Sequence, residues 1–237
     1  MLFIQILIFL PIHLLLKYIN IILFNFKVLS LSYTKLHFNA LLPLLPYLPN
    51  LINLSLAFNE MGLVPCNYPP SSNLQSLDIS NNSISEWSLL SSLTSLGNLK
   101  ELYLEGNLLG SKSIDFLFSN IQFVNLMNTG IQSIDQLRTL LDHFPAVIDI
   151  ELRENAFYSK SSNERVTLIA LFPQLQRMNG SSISKEERTE AELSVLSQEM
   201  TKFLESLHMT FEAFVGQSQD LIDKQLEEWS DLKVRDK

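Results

Sequence analysis

The chain is short of most of what chemistry needs. Among its 237 residues it has one cysteine, Cys66, so no disulfide can form within the chain, and such usage suits a reducing compartment. It has seven glycines and no glycine-rich loop to cradle a phosphate; Glu105-Gly-Asn107 and Met127 to Gly130 read as turns. Its four histidines, His13, His37, His143 and His208, lie far apart and show no metal-ligand spacing with Cys66. Glu186-Glu187 with Glu190 and Glu192 is a local carboxylate cluster, which an acidic first helical turn, favoured by the helix dipole, accounts for. With no nucleophile set beside a base, neither catalysis nor a cofactor is expected. Cations are scarce too, 17 against 25 carboxylates for a net charge of −8. Residues 1–184 carry 10 basic and 12 acidic side chains, and residues 185–237 carry 7 and 13. The acidic tail argues against nucleic acid as its partner.

What the chain does have is a ladder of leucine and asparagine. Against the template L-x-x-L-x-L-x-x-N-x-L, the clearest copies are Leu74 to Ile84 and Leu99 to Leu109. Leu51 to Met61 and Val147 to Phe157 also fit, and Phe26 to Leu36 and Ile121 to Ile131 fit with Thr for Asn. The asparagine position falls on Thr34, Asn59, Asn82, Asn107, Thr129 and Asn155, in steps of 25, 23, 25, 22 and 26 residues. Such periods belong to leucine-rich repeats and not to helical repeats of about 33 residues or more. The fold expected is therefore α/β, a leucine-rich repeat solenoid with a curved parallel sheet, a helical convex side and a C-terminal α-helical tail. The L-x-L pair gives each strand two inward apolar side chains, because strand side chains alternate. The Asn amide can satisfy backbone groups at the bend that follows, whereas Thr34 and Thr129 offer one hydroxyl each and predict looser repeats. Leu89, Leu90, Leu93 and Leu96, and then Ile134, Leu137, Leu140 and Leu141, recur at helical spacing, with Phe144-Pro145 as a stop.

Four segments follow from this pattern: residues 1–26 as an apolar N-terminal stretch, 27–162 as repeats, 163–192 as a C-terminal cap, and 193–237 as an acidic amphipathic helical tail. Met1 to Phe26 lacks the basic start and small-residue cleavage site of a signal peptide, and Lys17 interrupts the ~20 apolar residues a spanning helix needs. It reads as an N-terminal cap, a membrane anchor or a gene-model artefact. Between 163 and 192 lie an apolar helix ended by Phe172-Pro173, the half-repeat Leu175 to Gly180, and a new helix opening at Ile183 to Arg188. A terminal repeat differs in sequence because its outer face would otherwise leave the core open. In the tail, Leu193, Leu196, Met200, Phe203, Leu207, Phe211 and Phe214 make one apolar stripe. Gly216 weakens that helix before Leu221, Ile222, Leu226 and Trp229 resume it. The stripe suits either docking back on the last repeat or binding a partner.

Asn128-Thr-Gly-Ile131, the helix end Leu141 to Pro145, Arg153-Glu-Asn155 and Met178-Asn-Gly-Ser-Ser-Ile-Ser-Lys-Glu-Glu-Arg-Thr-Glu-Ala-Glu192 carry a family resemblance. Over residues 28–195 the chain resembles the leucine-rich repeat core of the tubulin-folding cofactor E family, cofactor E-like members included. That resemblance implies a cytoplasmic, cytoskeleton-associated chaperone or regulator that binds α-tubulin during heterodimer assembly or disassembly. The chain departs from the family in having too few glycines for its glycine-rich cytoskeleton-associated domain. Residues 196–237 are likewise too short for its ubiquitin-like domain. Other intracellular leucine-rich adaptors, phosphatase-regulatory or ciliary, share the cap pattern and stay open, as does a membrane-anchored array resting on Met1 to Phe26.

Binding should then fall to the side chains between the template leucines, which point out of the core on the concave face. These are Ser76, Asp78 and Ser80; Glu101, Tyr103 and Glu105; Phe123, Asn125 and Met127; and Asp149, Glu151 and Arg153. Tyr103, Phe123 and Met127 are the expected anchors, since interface cores favour aromatics and Met. Glu101, Glu105, Asp149 and Glu151 would orient the partner.

Overall fold

A computed structural model describes residues 25–35, 48–59, 73–110, 113–158, 164–206, 210–211, 213–216 and 218–220. Expectations placed on residues 1–24, on Leu36, His37, Met61 and Cys66, and on Leu207, His208, Leu221, Ile222, Leu226 and Trp229 lie outside them. The chain divides into two compact units, the first holding all of the strands among the described residues. These are β1 (Val28–Ser30), β2 (Asn53–Ser55), β3 (Ser76–Asp78), β4 (Glu101–Tyr103), β5 (Phe123–Asn125), β6 (Asp149–Glu151), β7 (Arg177–Met178) and β8 (Ser181–Ser182). They form one curved sheet in chain order. Strands β1 to β7 run parallel, as stacked repeats require, because each repeat returns to the same edge before laying down the next strand. Strand β8 turns back antiparallel through Asn179-Gly180, both at positive φ, the geometry of a tight two-residue hairpin turn.

The template leucines line up across this sheet. Leu54, Leu77, Leu102, Val124, Ile150 and Met178 form one row in register, each no more than 2% exposed. Two residues on, Leu56, Ile79, Leu104, Leu126 and Leu152 form a second buried row. Alternation along the strand sends their neighbours to the opposite, open face.

Below the strands runs the asparagine ladder. Asn107 donates its amide to the carbonyls of Leu104 in its own repeat and Ile79 in the one before, at 2.9 and 3.0 Å. Its Oδ1 accepts from the backbone amides of Asn82 and Ile84, at 3.1 and 2.9 Å. Asn82 bonds Ile79 and Leu56, Asn59 bonds Leu56 and Leu31, and Asn155 bonds Leu152 and Leu126 in the same way. Thr129 breaks the series: its one hydroxyl proton goes to Leu126, 2.7 Å away, and nothing is left to reach back to Leu104. The chain reaches each rung through a left-handed residue, Tyr33, Phe58, Asn81, Gly106, Asn128 or Glu154, with φ between 51° and 68°. Only at position 106 is this a glycine, and there a Cβ would also run into the Asn81 side chain.

The other face of the sheet is covered by less regular elements. A 3-10 helix spans Trp87–Ser95, where an α-helix built on Leu89, Leu90, Leu93 and Leu96 was expected. The buried residues are Trp87, Leu90, Leu93 and Leu96, a spacing of three that matches three residues per turn. The hydroxyls of Ser91, Thr94 and Ser95 each donate to the carbonyl three residues back, competing with α-helical bonding. A true α-helix, α1, spans Ile134–Leu141. Its N-cap is Ser133, whose hydroxyl accepts from the Gln136 amide, while the Gln136 side chain accepts from Gln132 N–H. Its buried face is Leu137, Leu140 and Leu141, as the spacing requires. Beyond it Phe144 stacks on Phe118 at 4.7 Å and meets Trp87 edge-on at 6.0 Å.

The second unit contains most of α2 (Glu164–Leu171) and all of α3 (Lys185–Ser206). Ser184 caps α3 by accepting from the Glu187 amide at 3.0 Å. The Glu187 carboxylate takes two bonds from the Arg165 guanidinium, at 2.7 and 3.2 Å, so the acidic first turn is partly an ion pair to α2. That guanidinium holds the Glu187 carboxyl below the usual carboxylate range. Arg188 donates to the Ile169 carbonyl at 2.9 Å. Contrary to a stripe wholly engaged in packing, Leu193, Leu196, Phe203 and Phe211 are exposed, while Ala191 and Leu204 are the buried residues of α3. Among the described residues no helix is long and apolar enough to cross a membrane.

Leu104→Ala should lower unfolding stability by ~2–5 kcal/mol, the range for a large-to-small change at a fully buried site. Asn107→Ala should cost a comparable amount by orphaning buried backbone groups. Chemical denaturation checks both, and wild-type midpoints would refute this register. Thr129→Asn should do the opposite and raise stability by about 1 kcal/mol, because a second donor completes the missing rung to Leu104.

Candidate protein-binding face

The open face of the sheet carries three rows of side chains set by strand register. One row is Asn53, Ser76, Glu101, Phe123, Asp149 and Arg177. The next is Ser30, Ser55, Asp78, Tyr103, Asn125 and Glu151. Ser80, Glu105, Met127 and Arg153 continue past the strand ends. Because Phe123 pairs with Glu101 and Tyr103 with Asn125, the two aromatic rings are diagonal neighbours. They touch, with centroids 4.9 Å apart and planes inclined at 53°. Both are half-buried, which leaves ring edges and faces open. Met127 lies on the other side of Asn125, also half-buried.

Two of the expected surface residues are buried. Ser80 is buried, and Asn125 is 9% exposed. Asn125 accepts from the Met127 amide at 2.9 Å and donates to Glu105 at 3.2 Å, so its amide is committed to holding the bend and the neighbouring carboxylate. It orders the face and presents little to a partner.

The charges also sort differently from a simple alternation. Asp149 sits 3.5 Å from Arg177, and Glu151 sits 3.0 Å from Arg153. The β6 region is therefore largely compensated. Asp78 instead accepts from Ser55 Oγ at 2.9 Å and from the Ser80 amide at 3.0 Å, with Ser32 hydrogen-bonded behind Ser55 at 2.8 Å. With Asp78 and Glu105 held by neutral donors and Glu101 exposed, net negative charge collects around the aromatic pair. The Tyr103 phenol is pushed above its ordinary pKa by burial first, then by the charge of Glu101 and Asp78 and by a hydrogen bond to Glu101. Arg177 is a position of this face that reading the repeats missed. Leu175-Gln-Arg177 aligns with Val147-Ile-Asp149, so carrying the template into the final half-repeat would have found it.

The arrangement is an open sheet face with an aromatic pair, an acidic surround and an arginine-paired end. Among the described residues no group of three or more His, Cys, Asp or Glu is placed to hold a metal ion.

Stacked parallel strands, a buried ladder of asparagines and a face of variable side chains define a leucine-rich repeat protein. Residues 70–236 match the family model described as "Leucine-rich repeat and WD repeat-containing protein 1, LRR", and the chain belongs to that leucine-rich repeat family. It is also similar to the "Tubulin-folding cofactor E" of Arabidopsis thaliana, 28% identical over 156 residues, which are 58% of this chain and 29% of that protein. The "Tubulin-specific chaperone cofactor E-like protein" of Rattus norvegicus is 26% identical, and that of Homo sapiens 27%, each over 172 residues, 69% of this chain and 40% of theirs. The chain thus spans 29–40% of the length of these relatives, and the resemblance to their repeat core holds at modest identity. Among solved structures, "Crystal structure of Drosophila melanogaster SNF/U2A' complex" contains a similar chain. The TM-score is 0.51 at 19% identity, over 65% of this chain and 87% of that one, a likeness of fold alone.

Glu101→Gln should bring the Tyr103 pKa down towards its ordinary value without reaching it, because burial is the larger cause and remains. An absorbance titration of the phenolate, taken as a difference against Tyr103→Phe, isolates this tyrosine. An unshifted curve would mean that the two side chains do not interact.

Proposed function

We propose that this chain is a non-enzymatic protein-binding module whose contact face is the open side of its sheet, centred on Tyr103 and Phe123. The observation that carries the reading is the half-buried aromatic pair held in contact across β4 and β5. Well-packed aromatics of this kind, ringed by polar groups, are the usual anchors of protein interfaces. In its finer form, the module is a cytoplasmic, cytoskeleton-associated chaperone or regulator of tubulin folding and heterodimer assembly, with α-tubulin as its partner. Support for that form comes from the names of the relatives matched at 26–28% identity and from the residues shared with their family.

The test is direct binding of purified tubulin to the chain. Tyr103→Ala with Phe123→Ala should weaken the complex by ~2 kcal/mol or more. The fold should survive, because neither ring belongs to the buried rows. Neutralising Glu101 and Glu105 should mainly slow association and flatten its salt dependence. Neutralising Asp149 or Glu151 should matter less, since each already has an arginine. A folded double variant that binds tubulin as tightly as wild type would remove this face from consideration. A wild-type chain that fails to bind tubulin would remove the finer reading and leave the face to another partner.

A further inference from the structure

The second unit carries an apolar groove that the proposed sheet face does not use. Leu193, Leu196, Met200 and Leu204 line up along α3 at helical spacing, with Ser197 and Thr201 beside them and Phe211 closing one end. The groove encloses about 500 Å³. Phe203 meets Phe214 edge-on at 6.3 Å, which brings the segment after α3 back against it and leaves Phe211 facing the groove. Leu193 and Leu196 are each 61% exposed and Phe211 is 57% exposed, so large apolar side chains stand in water on one continuous strip.

The charge around the strip selects its occupant. Helix α3 carries three cations, Lys185, Arg188 and Lys202, against six carboxylates. Lys202 is paired with Glu199 at 2.7 Å, and Arg188 is turned to the Ile169 carbonyl. At 3.6 residues per turn, Glu190 flanks the stripe on one side and Glu192 on the other, with Lys185 two turns before Glu192. Glu186 lies in line with the stripe two turns before Leu193, and all three carboxylates are exposed. A second copy of this chain would set carboxylates against carboxylates, and an anionic lipid surface would be repelled in the same way. From this we infer that the groove receives a basic amphipathic helix of a partner protein. Its apolar stripe would fill the space between Leu193 and Phe211, and its lysines or arginines would meet Glu186, Glu190 and Glu192. Four anchors one turn apart along α3 suit a helix and not an extended strand, whose side chains alternate every two residues.

The experiment uses the full chain and a labelled synthetic peptide of about 18 leucines and lysines, long enough to form a helix, with leucines at the i, i+3, i+4, i+7 spacing. Controls are the same composition in shuffled order and the counterpart with glutamate for lysine. By fluorescence anisotropy the amphipathic basic peptide should bind about tenfold or more tightly than the shuffled one, and the acidic one should not bind. Leu196→Ser with Phe211→Ser should weaken the amphipathic peptide by about tenfold or more while leaving circular dichroism and melting unchanged. Glu190→Gln with Glu192→Gln, which alters no packing, should weaken it and flatten its salt dependence. The inference fails if the shuffled peptide binds equally well, or if either folded variant binds the amphipathic peptide like wild type. It also fails if sedimentation shows a wild-type dimer that the Leu196, Phe211 variant dissolves, for the occupant would then be a second copy.

Discussion

Strands β2 to β6 each end in a bend whose carbonyls are buried among apolar side chains, and a buried carbonyl without a donor is costly. The Asn amide answers this with two donors, one for its own repeat and one for the repeat before. Because one side chain serves two repeats, it ties neighbouring strands in register as well as closing its own turn. The recurring left-handed residue just ahead of it follows from the same need, since the chain must swing round tightly enough to bring the amide beneath the strand. Phe58 and Glu154 adopt that conformation although their side chains disfavour it, which indicates how firmly the rung dictates the backbone.

Register in turn makes the open face. Parallel strands locked in step place Tyr103 two residues along from the partner of Phe123 on the adjacent strand, close enough for their rings to touch. A slip of one residue would send both into the core and bring Leu102 and Val124 to the surface. The same rows bring Arg177 to Asp149, so the β6 and β7 end of the face is near neutrality while the part around β3 and β4 stays acidic. A partner meeting this face would encounter an aromatic anchor with a charge gradient across it, which orients an approach more than it strengthens the final grip.

The repeat period, the leucine rows, the ladder positions and the helix at Ile134–Leu141 were all legible in the chain, because each depends on local spacing that recurs. The face was legible as positions, through the alternation of the strand. What escaped was how those positions interact. The burial of Asn125 depends on a bend amide and on a carboxylate from the neighbouring repeat. The pairing of Asp149 depends on Arg177, 28 residues further on. The 3-10 form of Trp87–Ser95 depends on hydroxyls competing for carbonyls, which a count of apolar spacings does not register.

By itself, then, the sequence determined that strands would stack in chain order with leucines inward and asparagines beneath, because a fixed period is a property of the chain alone. The tertiary structure decided which outward side chains meet a cation and which remain negative, and which apolar residues of α3 are covered and which stand open. Those outcomes are set by residues distant in sequence and adjacent in space. Burial and Coulomb interactions act over ångströms through space, and no local pattern of residues records that distance.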